Sequence, residues 1–185
     1  MKNIILIGAS RAGKSSFAKL LNENIKNISL IKTDLLRLAF REAIVKDNTI
    51  NTNILKQNPD YISYILSYYK FANKYDTEYI KVIDTVDFGP KDSKLFENSI
   101  MICLGYPNIT PEEVVSNWRK YDTELDWTFK KSDEELIEIA SEEIKNSKRL
   151  QEECKNYNVK FIDTSYERNN VLKELLDYVL KEIEW

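Results

Sequence analysis

The strongest constraint on the fold of this chain is an eight-residue segment near its amino terminus. It follows the short apolar run Ile4-Ile5-Leu6-Ile7 and reads Gly8-Ala9-Ser10-Arg11-Ala12-Gly13-Lys14-Ser15. The segment matches G-x-x-x-x-G-K-[ST] at every fixed position, and a helical pattern begins at Lys14. Glycines let the backbone curl until successive N–H groups point inward, and the start of a helix adds partial positive charge. The sequence therefore predicts a strand, a phosphate-binding loop and a helix in that order.

The loop residues have expected places around a nucleoside triphosphate. The backbone from Gly8 to Gly13 is expected to surround the phosphates, and Lys14 is expected to reach the β- and γ-phosphates. The Ser15 hydroxyl is expected to bind Mg²⁺, while Ser16 continues the helix beside the same phosphates. The alternative is a glycine turn that only joins a strand to a helix. The motif by itself does not choose between a kinase, a GTPase and an ATP-driven machine.

Short apolar runs alternate with helical spacing along the rest of the chain. The five predicted strands cover residues 2–7, 28–32, 79–83, 100–104 and 159–162. The predicted helices cover residues 14–25, 34–45, 59–74 and 171–183, and a further helix begins at Pro111. Buried parallel strands are short and apolar in this way. The sequence therefore predicts an α/β fold, a doubly wound five-stranded parallel sheet with helices on both faces and a helical lid.

Length and composition favour one domain that spans residues 1–185. No internal repeat and no low-complexity linker divides the chain. Residues 106–158 form a long charged and aromatic stretch between the fourth and fifth strands, and we expect this segment to act as a lid as well as a crossover. The formal charge of −3 gives no global reason to expect a nucleic-acid partner.

The absence of histidine and the small number of cysteines limit the catalytic and metal-binding groups that this chain can use. The chain has no histidine, so a general base must be a carboxylate, a lysine, a tyrosine or water. Its two cysteines, Cys103 and Cys154, lack metal-ligand spacing and are expected to be reduced residues in or near the core. No apolar stretch approaches the roughly 20 residues of a membrane span, so a cytoplasmic location is expected.

One pattern suggests a GTPase. Asn73-Lys74-Tyr75-Asp76 spells N-K-x-D, which reads guanine in that family. Here the pattern precedes the third strand instead of following it, and it lies at a predicted helix end. The sequence after Asp84 also lacks the D-x-x-G pattern. A solvated helix end is therefore the preferred interpretation.

Further features resemble the small P-loop kinases over the whole chain. This family includes nucleoside monophosphate, shikimate and gluconate kinases and the kinase domains of 5'-hydroxyl polynucleotide kinases. Beyond the loop, the resemblance rests on Asp34 and Arg37 after the second strand, on Asp84 at the end of the third and on Arg119 in the candidate lid. The turn Asp163-Thr164-Ser165 after the fifth strand completes it.

The resemblance implies roles for these residues. Asp34 would accept the acceptor's proton or orient its hydroxyl, and Arg37 would hold an anionic part of it. Asp84 would hold Mg²⁺, while Arg119 would stabilise charge on the transferred phosphoryl group. The alternative for Asp34 is a helix cap, with Arg37 facing solvent. For Asp84 it is formation of a turn at the strand end, and for Arg119 it is an ordinary surface position on a helix. Asp87 is a second carboxylate candidate near the acceptor.

The adenine base is expected beside Thr164 and Arg168, where the alternative is a helix cap. The tyrosines of residues 61–69 are expected to be core or half-core residues instead of a base-stacking platform. The chain lacks the paired lid arginines of adenylate kinases, which does not favour a nucleoside monophosphate acceptor.

Together these features predict a Mg²⁺- and ATP-dependent phosphotransferase whose acceptor is an unidentified small molecule or nucleotide. A 5'-hydroxyl polynucleotide or nucleoside kinase is one alternative. Another is a nucleotide-dependent switch that hydrolyses slowly and signals through residues 106–158.

Overall fold

One parallel sheet organises the computed structural model, which describes residues 2–46, 49, 51–124 and 126–183. Its strands are β1 (Asn3–Gly8), β2 (Ile28–Lys32), β3 (Ile80–Asp84), β4 (Ser99–Gly105) and β5 (Lys160–Asp163). Their order across the sheet is β2-β3-β1-β4-β5. The central strand β1 pairs with β3 and β4, so that Leu6 lies opposite Asp84 and Gly8 opposite Leu104. The carboxyl ends of β1 and β3 therefore meet at the same edge of the sheet.

Helices connect the strands. They are α1 (Lys14–Asn24), α2 (Thr33–Phe40), α3 (Thr52–Leu55), α4 (Pro59–Tyr75), α5 (Pro111–Arg119), α6 (Asp133–Tyr157) and α7 (Arg168–Ile183). A π-helical turn, Arg41–Val45, extends α2, and a 3₁₀ helix covers Pro90–Leu95. Reciprocal side-chain caps fix two of the starts: Thr110 with Glu113 begins α5, and Ser132 with Glu135 begins α6. Such caps satisfy backbone N–H groups that have no partner inside the helix.

The sheet carries an apolar layer on each face. Ile4 and Leu6 of β1 lie in one layer, which also contains residues of α1, α5 and α7. Ile5 and Ile7 lie in the other layer, with residues of α2 and α4. This alternation follows from the two-residue repeat of a strand. Helix α6 contributes to both layers.

The predicted strands and most of the predicted helices are confirmed to within a few residues. Four features were not predicted individually: α3, the 3₁₀ helix, the change to π-helical geometry at Arg41, and the long helix α6 inside the segment expected to form a lid and crossover. Helix α7 begins at Arg168, three residues earlier than the apolar spacing indicated. Cys103 and Cys154 are buried free thiols, as expected. No helix within the described ranges has the length and apolar character that a membrane span requires.

The segment 106–158 consists mainly of two helices. Leu136, Ala140 and Ile144 of α6 are buried in the core, and the helix contacts β4 and β5. Helix α6 is therefore the crossover between these strands. Residues 120–124 and 126–132, between α5 and α6, lie outside any helix. The lid role stays a prediction, and these connecting residues are the ones to which it can apply.

Gly8 is the position where the backbone tolerates no side chain. Its φ is +127°, and a Cβ atom there would lie 1.9 Å from the Leu104 carbonyl oxygen. Gly8→Ala should therefore lower the free energy of unfolding by about 3 kcal/mol or more, because both strain and overlap must be relieved. Gly89→Ala is the matched control, since its Cβ would meet nothing closer than 3.9 Å and should change stability by less than about 1 kcal/mol. Urea denaturation measures both, and equal losses would contradict this account.

Candidate functional site

The segment that joins β1 to α1 has the curled backbone that its sequence predicts. Gly8 and Gly13 have φ values of +127° and +103°, and Arg11 lies in the left-handed region at 56°. Ala9 N–H donates to the Leu104 carbonyl at 3.0 Å, which ties the turn to β4. Successive N–H groups of such a backbone can face a single anion.

Lys14 lies inside this loop. Its Nζ donates to the carbonyl oxygens of Gly8 at 3.1 Å and Ala9 at 2.7 Å. The residue is only 7% exposed. Burial lowers the pKa of Lys14, and the carboxylates of Asp84 and Glu143 oppose that shift. Its partners are neutral carbonyl groups, so the ammonium charge is available to an anionic ligand.

Two hydroxyl groups brace the loop from outside. The Tyr106 hydroxyl donates to the Ser10 carbonyl at 2.8 Å, and the Thr164 hydroxyl donates to the Ala12 carbonyl at 3.0 Å. Burial raises the pKa of Tyr106, so this phenol stays a neutral donor. Because the carbonyl groups are held in this way, the loop keeps its shape through contacts from β4 and from the turn after β5.

Ser15 and Asp84 come together beside the loop. The Ser15 hydroxyl donates to Asp84 Oδ2 at 2.6 Å. This contact arises because β1 and β3 are parallel neighbours whose carboxyl ends lie at the same edge of the sheet. A hydroxyl and a carboxylate oxygen are ligands that suit Mg²⁺, which usually takes few protein ligands together with phosphate and water. The residues present therefore fit the predicted metal. Ser16 is exposed on the first turn of α1.

A cavity of about 700 Å³ opens on one side of the loop. It lies between α5, the connecting residues after it and the turn that follows β5. Arg11, Trp118, Tyr121, Thr164 and Arg168 are among its lining residues. The cavity therefore includes both residues that were predicted to lie beside a nucleotide base.

Arg168 is held against the loop and a ring. A Cβ atom at Gly13 would lie 3.4 Å from the Arg168 Cδ atom, which shows how closely the side chain packs on the loop. The guanidinium group lies over the Tyr121 ring, 4.9 Å from its centroid. Flat cationic and aromatic groups of this kind can contact the face of a base.

The other side of the loop contains the predicted acceptor residues. Arg37 is 8% exposed, and its two terminal nitrogens contact Asp34 Oδ1 and Asp87 Oδ1. The Tyr61 hydroxyl oxygen lies 2.9 Å from Asp87 Oδ2 and 3.0 Å from the Thr33 carbonyl oxygen, two acceptors for its single hydrogen. Burial and the nearby Asp87 charge raise the pKa of Tyr61, so the phenol remains protonated. Arg37 thus neutralises two carboxylates of the protein.

Asp34 and Asp87 differ sharply in exposure. The Asp87 side chain is fully buried, whereas the Asp34 side chain is 66% exposed and keeps an oxygen open to a ligand. The role proposed for Arg37, binding an anionic part of the acceptor, stays a prediction, and this geometry does not favour it. Asp34 remains accessible for the hydroxyl-orienting role.

A second cavity, of about 300 Å³, lies beside the loop near the carboxyl end of β3. Its lining includes Gly8 and Ser10 of the loop, Asp87, and several charged side chains that no sequence motif marked. Those charged side chains are Lys56, Lys91, Asp92, Glu143, Arg149 and Glu153. Burial, followed by the Arg37 charge, lowers the pKa of Lys56.

Arg119 lines neither of these cavities but a separate one of about 630 Å³ between α5 and the start of α6, which no residue of the phosphate-binding loop lines. Its guanidinium group donates to Asp133 at 2.7 Å, and to the carbonyl groups of Thr128 at 3.2 Å and Lys131 at 2.7 Å. These contacts join the end of α5 to the start of α6. The catalytic role of Arg119 stays a prediction. Its observed contacts hold the end of α5 to the start of α6.

Arg11 connects the loop to the segment after α5. It pairs with Asp122 at 2.8 Å and Asp126 at 3.1 Å, and it donates to the Thr128 hydroxyl oxygen at 2.8 Å. The Asp122 side chain is only 3% exposed. The same carboxylate also lies 3.4 Å from Arg119. Asp122, Asp126 and Thr128 are therefore tied to the phosphate-binding loop through buried and half-buried polar groups.

The N-K-x-D pattern lies at the opposite edge of the sheet. Asn73 accepts a hydrogen bond at 2.9 Å from Asn3, at the start of β1, and the Asp76 carbonyl accepts one from Lys81, near the start of β3. The phosphate-binding loop and the N-K-x-D segment therefore lie at opposite ends of the strands. The pattern ends helix α4, and Lys74 and Tyr75 are exposed there, so the structure agrees with the interpretation as a solvated helix end.

Comparison with known proteins adds one finding. No protein-family model matches the sequence, and no curated protein matches it. The chain is similar to the 1.7 Å crystal structure of a shikimate kinase from Bacteroides thetaiotaomicron. The superposition covers 100% of this chain and 99% of that chain with a TM-score of 0.61 and 12% sequence identity. At this identity the similarity shows the fold and not the reaction.

The predicted fold class is confirmed. The chain has an α/β fold with a five-stranded parallel sheet, the fold of P-loop nucleotide kinases. Open sheets of this kind bind ligands at the carboxyl ends of the strands, where the chain connections diverge from a central strand. Lys14, Ser15 and Asp84 lie at that position.

Asp122 should be important for the stability of the connecting segment. Asp122→Asn removes the charge that Arg11 and Arg119 share, so the free energy of unfolding should fall by about 1–3 kcal/mol. Trp118 and Trp127, whose rings lie 5.8 Å apart, should also change emission. Urea unfolding followed by tryptophan emission measures both effects.

The control is Glu124→Gln, an exposed position in the same segment. Trp185 lies outside the described residues and is replaced by Phe in every protein, so that the signal comes from the other two indoles. An Asp122→Asn protein with the emission and stability of the control would rule out the shared-charge explanation.

Proposed function

We propose that this chain is an ATP-dependent phosphotransferase that transfers a phosphoryl group from Mg-ATP to a hydroxyl group of a small acceptor. The observation that carries the proposal is the 2.6 Å contact between Ser15 and Asp84 beside the buried Lys14. A glycine turn that only joined a strand to a helix would not require a hydroxyl–carboxylate pair and a buried lysine side by side.

The protein's own residues supply position and charge. Lys14 and the loop N–H groups bind the phosphates, and Ser15 and Asp84 hold Mg²⁺. The bound metal supplies electrostatic stabilisation of the phosphates during transfer. The larger cavity, beside Thr164 and Arg168, accommodates the nucleoside, with a preference for adenine that follows from the family resemblance.

The smaller cavity is the proposed acceptor site. It borders the loop at Gly8 and Ser10, where a transferable phosphoryl group would be reached. Lys56 and Lys91 line it without an ion pair in the part of the chain that the structure describes. Lys56 suits an anionic group of the acceptor. Asp34 lies outside this lining but close enough for its charge to act on Lys56, and it would orient the acceptor's hydroxyl from there.

Two features oppose a polynucleotide acceptor. The cavity of about 300 Å³ is at the lower end of the range for small-molecule sites. The formal charge of −3 also gives no broad attraction for a phosphate backbone. A 5'-hydroxyl polynucleotide kinase and a slow nucleotide switch remain alternatives that experiment can separate. The cytoplasmic location expected from the sequence is part of the proposal.

A coupled ADP-release screen tests the reaction. It uses sugars, small hydroxy acids, nucleosides, nucleotides and a 5'-hydroxyl oligonucleotide with ATP and with GTP. We expect a small hydroxy compound to stimulate ADP formation, and Lys14→Ala to reduce that rate by at least about 100-fold, because a buried phosphate-binding cation is lost. Lys19→Ala, an exposed change on α1, is the control. Stimulation by the oligonucleotide alone would favour a 5'-hydroxyl polynucleotide kinase. Slow hydrolysis that no acceptor stimulates would favour a nucleotide-dependent switch.

Metal dependence tests the Ser15 and Asp84 pair. Asp84→Asn removes the carboxylate charge at the proposed Mg²⁺ site. The Mg²⁺ concentration that gives half-maximal activity should therefore rise by at least about 10-fold. Binding of ADP without metal should change little. Asp177→Asn, an exposed carboxylate of α7, is the control. If the Mg²⁺ titrations of the three proteins coincide, Asp84 does not hold the metal.

A further inference from the structure

Glu143 reaches from α6 to the phosphate-binding loop. Its Oε2 atom accepts a hydrogen bond from the Ser10 backbone N–H at 3.2 Å and a weaker one from Asn146 Nδ2 at 3.4 Å. The side chain also lines the smaller cavity, together with Gly8 and Ser10. One carboxylate of the protein therefore contacts the loop that is proposed to bind phosphate.

This use of a glutamate differs from that of its neighbours on α6. Glu142 pairs with Lys145, Glu152 with Lys155 and Glu153 with Arg149, all as exposed or half-exposed pairs along the helix. Glu143 forms no ion pair with a lysine or arginine in the described part of the chain. Its partner is a backbone donor of an anion-binding loop.

The Glu143 carboxylate and an anionic ligand have the same charge and require the same donor. A ligand that takes the Ser10 N–H must displace the carboxylate or lie next to it. Like-charge repulsion at such distances is strong because the site is partly shielded from water. The repulsion increases with the negative charge of the ligand, and Mg²⁺ reduces that charge.

We propose that Glu143 is a specificity-determining residue of the nucleotide site, which disfavours metal-free polyphosphates relative to their Mg²⁺ complexes. The proposal rests on the proposed function, because it requires that the loop binds nucleotide. A nucleotide without its metal would not be a competent phosphoryl donor, so this selection would keep unproductive polyanions out of the loop.

Glu143→Gln is the informative change. The glutamine side-chain oxygen can still accept from the Ser10 N–H, so the variant removes charge and keeps shape. Metal-free ADP should bind about 10-fold more tightly to Glu143→Gln than to the unmodified protein. Mg-ADP should gain about 3-fold or less, because less ligand charge is repelled. The dissociation constant of metal-free ADP divided by that of Mg-ADP should therefore be smaller for Glu143→Gln than for the unmodified protein.

The measurement is isothermal titration calorimetry of ADP in EDTA and in excess Mg²⁺. Glu142→Gln, one residue earlier on the exposed face of α6, is the matched control and should retain the unmodified ratio. Tripolyphosphate serves as a second probe without a base, and it should show the same gain if the effect arises at the loop. Added salt should weaken the discrimination in the unmodified protein more than in Glu143→Gln. Thermal melting of each variant checks that it is folded.

The outcomes separate this inference from the proposed function. If the unmodified protein binds Mg-ADP and Glu143→Gln leaves the ratio unchanged, the inference fails and the nucleotide site stands. Weaker binding of both ligands to Glu143→Gln would show that Glu143 is a strut between α6 and the loop, and would also overturn it. If neither the unmodified protein nor Glu143→Gln binds ADP or tripolyphosphate, with or without Mg²⁺, the proposed function fails as well.

Discussion

The close approach of two neighbouring strands is the constraint from which the candidate site follows. The backbone of β1 turns beside Leu104 of β4, and a side chain at position 8 would overlap the Leu104 carbonyl. Because the chain turns there, α1 begins at the level where β3 ends, and Ser15 reaches Asp84. A displaced turn would separate the hydroxyl from the carboxylate. The fold and the proposed metal site thus depend on the same few backbone atoms.

The charges around the loop are arranged differently on its two sides. On the proposed acceptor side, the buried Asp87 is paired with Arg37 and accepts from the Tyr61 hydroxyl, as a buried carboxylate requires. Arg37 therefore holds α2 to the loop after β3. On the proposed nucleoside side, Arg168 packs on Gly13 and Tyr121 and forms no such pair among the described residues. Arginines with similar sequence signals thus have different partners.

Much of the fold could be predicted from the sequence, because buried parallel strands are short apolar runs and the loop motif marks the first connection. The positions of Ser15 and Asp84 followed from the same signals. The roles of Lys56 and Glu143 could not be predicted. Lys56 lies in a polar stretch without periodicity, and Glu143 is one of many charged residues on a long amphipathic helix. Only the packing of α6 on the sheet brings Glu143 to the loop.

Arg37 and Arg119 show why residue type alone was a poor guide. In the sequence each is an arginine after a plausible motif, but an arginine binds whichever acceptors surround it, and here those are carboxylates and carbonyl groups of the protein. Aspartates close in sequence, Asp34 and Asp122, provide part of that environment. Pairing between distant residues, such as Arg37 with Asp87, depends on tertiary structure that no local pattern encodes.

The pairing of Asp122 bears on how the segment after α5 can respond to a ligand. This nearly buried carboxylate contacts both Arg11 of the loop and Arg119 of α5. A buried carboxylate that lost its only cation would be strongly destabilised. With two cations, Asp122 can release Arg11 toward bound phosphates and stay paired with Arg119. Residues 122–124 and 126–128 can therefore loosen from the loop without leaving an unpaired buried charge, which is the physical requirement for the predicted lid.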